Sequence, residues 1–421
     1  MLLLKRVGTK DVGWEADFLL AWSGQSVSLL GSAVTRLALP LTAVLILGAT
    51  PAQMGLLVAS QTTPMLLIGL LAGVWVDRVR RRPLLIATDL GQAVLLGWIP
   101  LAAVLGLLRM EQVYVVAFLV GCLVVLSGLA GVAYLPVLVG RSRLVEANSW
   151  LTASESVAQI AGPSFAGGLV QVVSAPVAIL IDCASFVVSA VALTRIRQPE
   201  PAPPPREAGQ RIGPEIAEGF RLLLANPVLR ALAGAAGTGN AFSAASQAVY
   251  LLFATRELGI DPALLGLILG IGSVGSLVGA VLAGPLARRF GLGQTMLGVA
   301  ALYGLSSVLV PVAGGPLLVA SAVLLLARLL LALANPIFNI TSISLRQTLT
   351  PDHLQGRVNA SARFIANAVT PLGALVGGAL GETIGLRPTL LVAGVGILLA
   401  GLWIVLSPVP SIGVEQARAE R

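Results

Sequence analysis

Apolar runs, each long enough to cross a bilayer, alternate along the whole chain with short polar or basic breaks. A membrane-spanning helix needs about 20 predominantly apolar residues, and the runs here meet that length. The pattern predicts twelve helices, six in each half of the chain. They are expected at residues 17–47, 51–76, 83–107, 112–139, 148–173, 175–194, 228–254, 261–287, 293–312, 316–345, 357–381 and 386–406.

The composition excludes a water-soluble fold. Of the 421 residues, 56% are hydrophobic and 11% are charged, whereas soluble domains carry about 25% charged residues. The alternating ten-residue strands of a membrane β-barrel are missing from the sequence, so helices must satisfy the backbone hydrogen bonds inside the bilayer. We therefore expect an all-α membrane protein with 12 transmembrane helices.

A polar segment rich in proline, QPEPAPPPREAGQR, separates the two halves. Such a segment cannot build a core and behaves as an extended linker. Ile216, Phe220 and Leu223 follow it at helical spacing, which predicts a short amphipathic helix on the membrane surface. We accordingly expect three parts. They are an N-terminal six-helix bundle (1–197), a cytoplasmic linker with this helix (198–227), and a C-terminal six-helix bundle with a short tail (228–421).

The halves resemble each other, which predicts pseudo-symmetric bundles. AGPSFAGG at 161–168 in the fifth predicted helix corresponds to TPLGALVGG at 370–378 in the eleventh. Each follows a polar stretch that contains Asn148 or Asn359. Two six-helix bundles related by an axis along the membrane normal are the architecture that such a repeat favours.

Basic residues predict the orientation. Most of the 27 lysines and arginines fall at the termini, in the central segment, and in the breaks that would share one side with them. Only Arg109, Arg256 and Arg387 fall on the other side. Because basic loops stay in the cytoplasm, both termini are expected there, in a cell inner membrane. The rule also explains the net charge of +8 without nucleic acid.

A basic motif, GVWVDRVRRR, occupies the break after the second predicted helix. It resembles the Gly-x-x-x-Asp-Arg-x-Gly-Arg-Arg pattern of that loop in the major facilitator superfamily, which this chain resembles over nearly its whole length, with Arg80 where the superfamily often has glycine. The matching residues are Gly73, Asp77, Arg78, Arg81 and Arg82.

The resemblance implies a latch at the cytoplasmic gate. Asp77 would pair with the start of the eleventh helix near Asn359, together with Arg357 or Arg363. A carboxylate gains there from the helix dipole and the free amides. The alternative is that the arginines of this loop only enforce topology.

Helix-five and helix-six motifs point to one branch of the superfamily. The fifth helix is similar to the antiporter signature of drug exporters, and small residues of this kind permit close helix packing. The sixth helix contains LIDCASFVVSA, which resembles the branch of enterobactin exporters and macrolide efflux pumps through Asp182 and Ser185. The exporter residues of helix five are Gly162, Pro163, Gly167 and Gly168.

Three carboxylates fall inside predicted spans, where ionisable groups are costly and suggest function or pairing. Asp89, Glu155 and Asp182 are therefore candidates for proton coupling, with structural pairing or hydrogen bonding as the alternative. The fourth helix holds no charge, although many proton-coupled exporters carry an arginine there, so the coupling ion stays open.

In the superfamily, helices one, four, seven and ten line the central cavity. Two arginines in it would favour an anionic or polar substrate, although Arg36 could instead snorkel to the outer interface. The resemblance gives the candidate cavity residues Gln25, Arg36, Tyr134, Asn240, Gln247 and Arg328.

The function expected is secondary active export of an amphipathic small molecule, such as a drug, antibiotic or siderophore, by alternating access and proton antiport. Alternatives are an importer or flippase for a lipid-like or sugar substrate, and a receptor on the same fold. No catalytic triad, metal cluster or phosphate loop is evident, so an enzyme is not expected. Neither a cofactor nor a metal is expected, and a monomer in the lipid bilayer is the default.

Overall fold

The computed structural model describes residues 12–201 and 212–412, which form helices joined by short turns and contain no β-strand. We number the helices α1 to α15. Their bounds are α1 Val12–Leu45, α2 Pro51–Val76, α3 Arg81–Val104, α4 Met110–Val139, α5 Leu144–Val173, α6 Ala175–Thr194, α7 Ile212–Ala225, α8 Pro227–Leu252, α9 Pro262–Phe290, α10 Leu292–Val312, α11 Leu317–Leu349, α12 Gln355–Ala368, α13 Thr370–Thr383, α14 Leu386–Ala400 and α15 Leu402–Val405.

Membrane crossing is supported by length and composition. Within the described residues, ten segments are long and apolar enough to span a bilayer, and α12 with α13 counts as one of them. The helices α2 and α8 are not among the ten. An all-helical membrane fold is confirmed, whereas the count of twelve spans remains a prediction.

One predicted helix is interrupted. The sequence predicts a continuous helix over 357–381, but the structure divides it at Val369 into α12 and α13. Pro371 lies in the first turn of α13 and has no N–H to donate to the carbonyl of Asn367, four residues before it. The prediction of a single unbroken helix was therefore wrong at this position.

The predicted amphipathic helix is present as α7, and its apolar face packs on α12. The ring of Phe220 meets that of Phe364 edge to face, with centroids 6.0 Å apart, and Leu223 is buried. A Cβ at Gly219 would lie 2.7 Å from the carbonyl oxygen of Arg357, so only glycine permits this approach. Contact with α12 therefore accounts for these apolar residues, and the membrane-surface position stays a prediction.

Helices from the two halves meet along two main contacts. Within the first half, α1 packs on α5 and α6, and α3 packs on α4 and α6. Within the second half, α9 packs on α11, α10 packs on α11 and α14, and α8 packs on α13 and α14. Between the halves, α5 packs on α9 and α2 packs on α13. These helix pairs determine which side chains face the space between the two halves.

The turns between helices lie at two ends of the helix assembly, the basic end and the opposite end. The basic end carries the turns at 77–80, 140–143, 291 and 350–354, with the arginine motif after α2. The opposite end carries the turns at 46–50, 105–109, 174, 253–261, 313–316 and 384–385.

Candidate transport cavity

A cavity of about 700 Å³ lies between the two halves. It takes residues from α1, α2 and α5 of the first half and from α8 to α11 and α14 of the second. Three of the six predicted cavity residues line it, namely Arg36, Gln247 and Arg328. The side chain of Arg36 is exposed to this cavity, which argues against the snorkelling alternative. We call this space the central cavity.

A second cavity of about 450 Å³ continues from the central one, and we call it the inner cavity. The two share Tyr303 and Asn335, and the predicted residue Asn240 lines the inner one. A third cavity of about 500 Å³ shares Arg346 and Arg363 with the inner cavity and reaches Asn359. Asn359 follows the turn at 350–354, so the path leads from the central cavity to the basic end.

Two predicted cavity residues lie elsewhere. Tyr134 is buried in an apolar cluster with Phe18 and Leu138 near the basic end, and it is absent from the described lining of the three cavities. Gln25 is exposed on α1 and is also absent from that lining. The helix α4 packs on α2 and α3, and it contributes no residue to the described lining of the three cavities.

Sequence reasoning missed a polar stripe on α11. The stripe recurs at intervals of three, four or seven residues, which places its members on one face of a helix. All of its residues line the central or the inner cavity. Arg346 lies one residue beyond the predicted helix at 316–345, but α11 extends to Leu349 and includes it. The spacing could have revealed the stripe, which consists of Arg328, Asn335, Asn339, Ser342 and Arg346.

Asp182 lies between α6 and α1, away from the cavity. Its carboxylate accepts hydrogen bonds from the hydroxyls of Ser32 at 3.3 Å and Ser185 at 3.1 Å, and only 1% of the residue is exposed. Gly31 leaves room for it, since a Cβ there would lie 2.7 Å from Oδ1 of Asp182. Arg36 is one turn along α1 from Ser32 and faces the cavity.

The other two carboxylates differ in their access to the cavity. Asp89 is buried within α3 of the first half. Glu155 is exposed on α5, and its Oε1 accepts a hydrogen bond of 3.4 Å from Gln159. Gln159 lines the central cavity, so Glu155 lies one turn from its wall.

The arginine motif divides into two parts. A Cβ at Gly73 would meet nothing within 4 Å. Asp77 and Arg78 are exposed. Asp77 ends α2, and its carboxylate forms no ion pair with another described residue. The latch predicted for Asp77 is therefore not engaged in this conformation.

Arg81 and Arg82 of the same motif hold the first half together. The carboxylate of Glu200 accepts the backbone N–H groups of Arg81 at 2.5 Å and Arg82 at 3.0 Å, which are free donors at the start of α3. The Arg82 guanidinium donates to the carbonyls of Leu193 at 2.8 Å and Thr194 at 2.7 Å, at the end of α6. These contacts extend the role of both arginines beyond topology.

Two glycine contacts join the halves near the opposite end. On α5 and α9, a Cβ at Gly167 would lie 2.8 Å from the Cα of Gly266. On α13 and α2, a Cβ at Gly378 would lie 2.9 Å from the Cα of Gly55. Side chains at these positions would push the backbones apart. We call these contacts the glycine crossings, and they hold the two halves together at this end.

A repeat in the sequence underlies the two crossings. The helix α2 begins with Pro-Ala-Gln-Met-Gly at 51–55, and α9 begins with Pro-Ala-Leu-Leu-Gly at 262–266. Each has a proline at the first turn and an N-cap side chain, from Thr50 and Asp261, that accepts a backbone amide. This Pro-Ala-x-x-Gly repeat was not recognised in the sequence. It shows that α9 of the second half corresponds to α2 of the first half.

The exporter motif of α5 distributes its residues over three contacts. A Cβ at Gly162 would lie 2.3 Å from the Cβ of Ala33 on α1. Pro163 lines the central cavity, and Gly167 forms the glycine crossing to α9. A Cβ at Gly168 would meet nothing within 4 Å. The motif therefore serves close packing on two sides and shapes the cavity wall between them.

The comparisons with known proteins agree with this geometry. Residues 15–421 match the model of the MFS_3 family, described as transmembrane secretion effector. The multidrug efflux pump Tap of Mycolicibacterium fortuitum is 28% identical over 356 residues, which cover 82% of this chain and 85% of Tap. The enterobactin exporter EntS of Salmonella typhi is 28% identical over 369 residues, which cover 84% of this chain and 83% of EntS.

A solved structure shares the fold. A bacterial homologue of the iron transporter ferroportin, crystallised in an inward-facing state, superposes with a TM-score of 0.73 at 19% identity. The superposition covers 92% of this chain and 98% of that one. Identity at this level supports the fold and leaves the substrate open.

Proposed function

This chain belongs to the MFS_3 family of transmembrane secretion effectors, a family of multi-pass membrane transporters and not of enzymes, and we propose that it exports amphipathic small molecules. The observation that carries the proposal is the central cavity, which continues through two further cavities toward the basic end, while the glycine crossings hold the two halves together at the opposite end. Volumes of this size suit a drug-sized ligand.

The proposed direction rests on orientation together with the relatives. We assign the basic end to the cytoplasm by the positive-inside rule, with both termini there and the protein in the inner membrane. The substrate then enters from the cytoplasm in the conformation described here. Closure of the basic end and separation of the glycine crossings would release it outside, as two six-helix bundles of twelve spans rock about the site. The relatives Tap and EntS are described as an efflux pump and an exporter.

Inward proton flow is the proposed driving force. A coupling carboxylate must exchange protons with the substrate pathway in one state and with the other side in the next. Glu155 is better placed for this than Asp182, because it is exposed beside the cavity wall, whereas Asp182 is enclosed between α1 and α6 of one half. We propose a monomer, because residues from both halves of one chain line the central cavity.

The proposal is tested in everted membrane vesicles that carry a proton gradient and a fluorescent pH probe. Siderophores, macrolides, tetracyclines and organic cations are added in turn, and accumulation of the same radiolabelled compounds is measured. Export predicts accumulation inside everted vesicles together with proton release. Vesicles without the protein are the control, and Glu111→Gln at the opposite end controls for removal of a carboxylate.

Other functions predict different outcomes in that assay. Accumulation only in right-side-out vesicles would indicate an importer. Movement of a labelled lipid between leaflets without accumulation would indicate a flippase. Binding without movement of any compound would indicate a receptor. Accumulation without proton release would keep export and discard proton coupling.

A further inference from the structure

Positive charge dominates the pathway. Among the described residues that line the three cavities, four are arginines and none is aspartate or glutamate. Arg36 and Arg328 line the central cavity, and Arg346 and Arg363 line the inner one. None of the four forms an ion pair with another described residue. Charges in such a setting default to pairing or function. Arg36 interacts electrostatically with Asp182, whereas Arg328, Arg346 and Arg363 have no acidic partner in the described part of the chain.

Two of these arginines have buried donors that remain unused. The Nε atoms of Arg328 and Arg346 are buried and have no hydrogen-bond partner among the described residues. The hydroxyl of Tyr250, which lines the same cavity as Arg328, is likewise buried and unpartnered. Leaving a buried donor unsatisfied costs about 1–3 kcal/mol, and more when it is charged. A ligand with acceptor oxygens would satisfy these donors.

Neighbouring residues fix the position of Arg328. A Cβ at Gly272 of α9 would lie 2.7 Å from the Cβ of Arg328, so a larger residue there would displace α11. Amides from Gln61, Gln159 and Gln247 face the same cavity, and apolar residues such as Leu57, Leu331 and Ile397 complete its wall. The cavity thus offers fixed cations, neutral donors and an apolar surface.

We propose that the substrates are amphipathic anions, whose carboxylate, sulfonate or phosphate group binds Arg328 and Tyr250 in the central cavity while an apolar body contacts the wall. Arg346 and Arg363 form an earlier site that attracts the same group from the basic end. A guanidinium presents donors in a fork that matches such oxyanions. This inference rests on the proposed export function and narrows its substrate class.

The test uses purified protein in detergent and three probes that share one fluorophore. Dansyl-glycine carries a carboxylate, dansyl-glycinamide is neutral, and dansyl-ethylenediamine is a cation. Fluorescence anisotropy gives the affinity of each. We expect dansyl-glycine to bind at least about tenfold more tightly than the amide, since one charge-assisted hydrogen bond contributes roughly this ratio. The cation is expected to bind most weakly.

Variants then locate the site. Arg328→Gln should remove most of the preference for dansyl-glycine over the amide, and Arg328→Lys should restore part of it. Arg289→Gln is the matched control, because Arg289 is exposed near the basic end and lines none of the three cavities. Thermal unfolding confirms that each variant is folded before its affinities are compared.

Equal affinities for the three probes, absence of binding by all of them, or an unchanged preference in Arg328→Gln would overturn the anion site. Binding needs neither a gradient nor a direction, so its outcome is separate from the vesicle assay. A preserved preference for the anion together with no accumulation in vesicles would discard export and leave the anion site standing.

Discussion

Glu382, near the end of α13, accepts a hydrogen bond of 3.2 Å from the backbone N–H of Ala52, in the first turn of α2. The contact joins the second half of the chain to the first, beside the glycine crossing of Gly55 and Gly378. The N-terminal amides of a helix lack internal partners and favour a carboxylate. A second contact nearby runs from Arg256 to the carbonyl of Ala49 at 2.8 Å. Polar contacts thus reinforce the closure of the opposite end.

Replacing Glu382 by glutamine should weaken this closure. A carboxylate at a helix N-terminus contributes about 0.3–1 kcal/mol, so the open state at the opposite end should become roughly two- to fivefold more populated. The measurement is the labelling rate of a cysteine introduced by Gln61→Cys in the central cavity. An impermeant maleimide is applied from the opposite end, in a protein whose Cys122 and Cys183 have been replaced.

The matched control for this substitution is Glu111→Gln. Glu111 is exposed in the first turn of α4, at the same end, and lies within the first half. Its removal should leave the labelling rate unchanged. An equal increase in both variants would show that charge at the membrane surface, and not the contact with Ala52, controls access.

Side chains at the glycine crossings should impair alternation between the two conformations. Gly266→Val places carbon atoms where a Cβ already meets the carbonyl oxygen of Pro163 at 2.4 Å and the Cα of Gly167 at 2.8 Å. Overpacking costs typically 1–3 kcal/mol, so the closed contact should be destabilised and transport should fall at least about fivefold. Gly298→Val is the control, because its Cβ would meet nothing within 4 Å.

The measurement pairs substrate accumulation in vesicles with the amount of folded protein in the membrane. Loss of transport in Gly266→Val at normal protein abundance supports the crossing as a moving contact. Transport at the wild-type rate would show that α5 and α9 can separate there without consequence.

Hydrophobic spacing was enough to place most helices, because a span must be apolar for its whole length. The ends of α2, α6 and α10 agree with the predicted ranges within one residue. The interruption at Val369 was missed because a proline in a membrane helix can bend it or break it, and the sequence does not distinguish these outcomes.

The cavity was harder to predict than the spans. Arg36, Gln247 and Arg328 were placed correctly by resemblance to a family, and Asn240 lies in the inner cavity. Tyr134 was not, since the face that a helix turns to the cavity depends on its neighbours, which spacing along one helix does not contain. The stripe on α11 was recognisable by its period, but it extends past the predicted end of that helix.

At the basic end, Arg357 has two acidic side chains with which it could pair. In this conformation it forms an ion pair with Glu218 of α7, while Asp77 of the neighbouring α2 has no such pair with a described residue. The helices α2 and α12 are in contact. We expect Arg357 to exchange Glu218 for Asp77 when the basic end closes, which would engage the predicted latch.

Glu218→Gln should therefore favour closure of the basic end, and Asp77→Asn should oppose it. Exposed ion pairs contribute about 0.2–1 kcal/mol, so each shift should be at most roughly fivefold. Labelling of the Gln61→Cys protein from the basic end should slow in the first variant and accelerate in the second. Asp352→Asn, an exposed carboxylate at the same end, is the control. Shifts in the same direction for Glu218→Gln and Asp77→Asn would contradict the exchange.

Substitution of the three membrane carboxylates separates coupling from packing. Glu155→Gln should leave substrate binding intact and eliminate substrate-driven proton release, because Glu155 is the exposed one of the three carboxylates and its partner Gln159 lines the central cavity. Asp182→Asn keeps an acceptor for Ser32 and Ser185, so proton release should persist, with a loss of unfolding free energy of about 1–3 kcal/mol from the altered buried hydrogen bonds. Asp89→Asn should behave like Asp182→Asn.

The measurements are proton release in everted vesicles and thermal unfolding of the purified variants. Proton release that is lost in Asp182→Asn and kept in Glu155→Gln would transfer the coupling role to the buried carboxylate and require a proton path between α1 and α6.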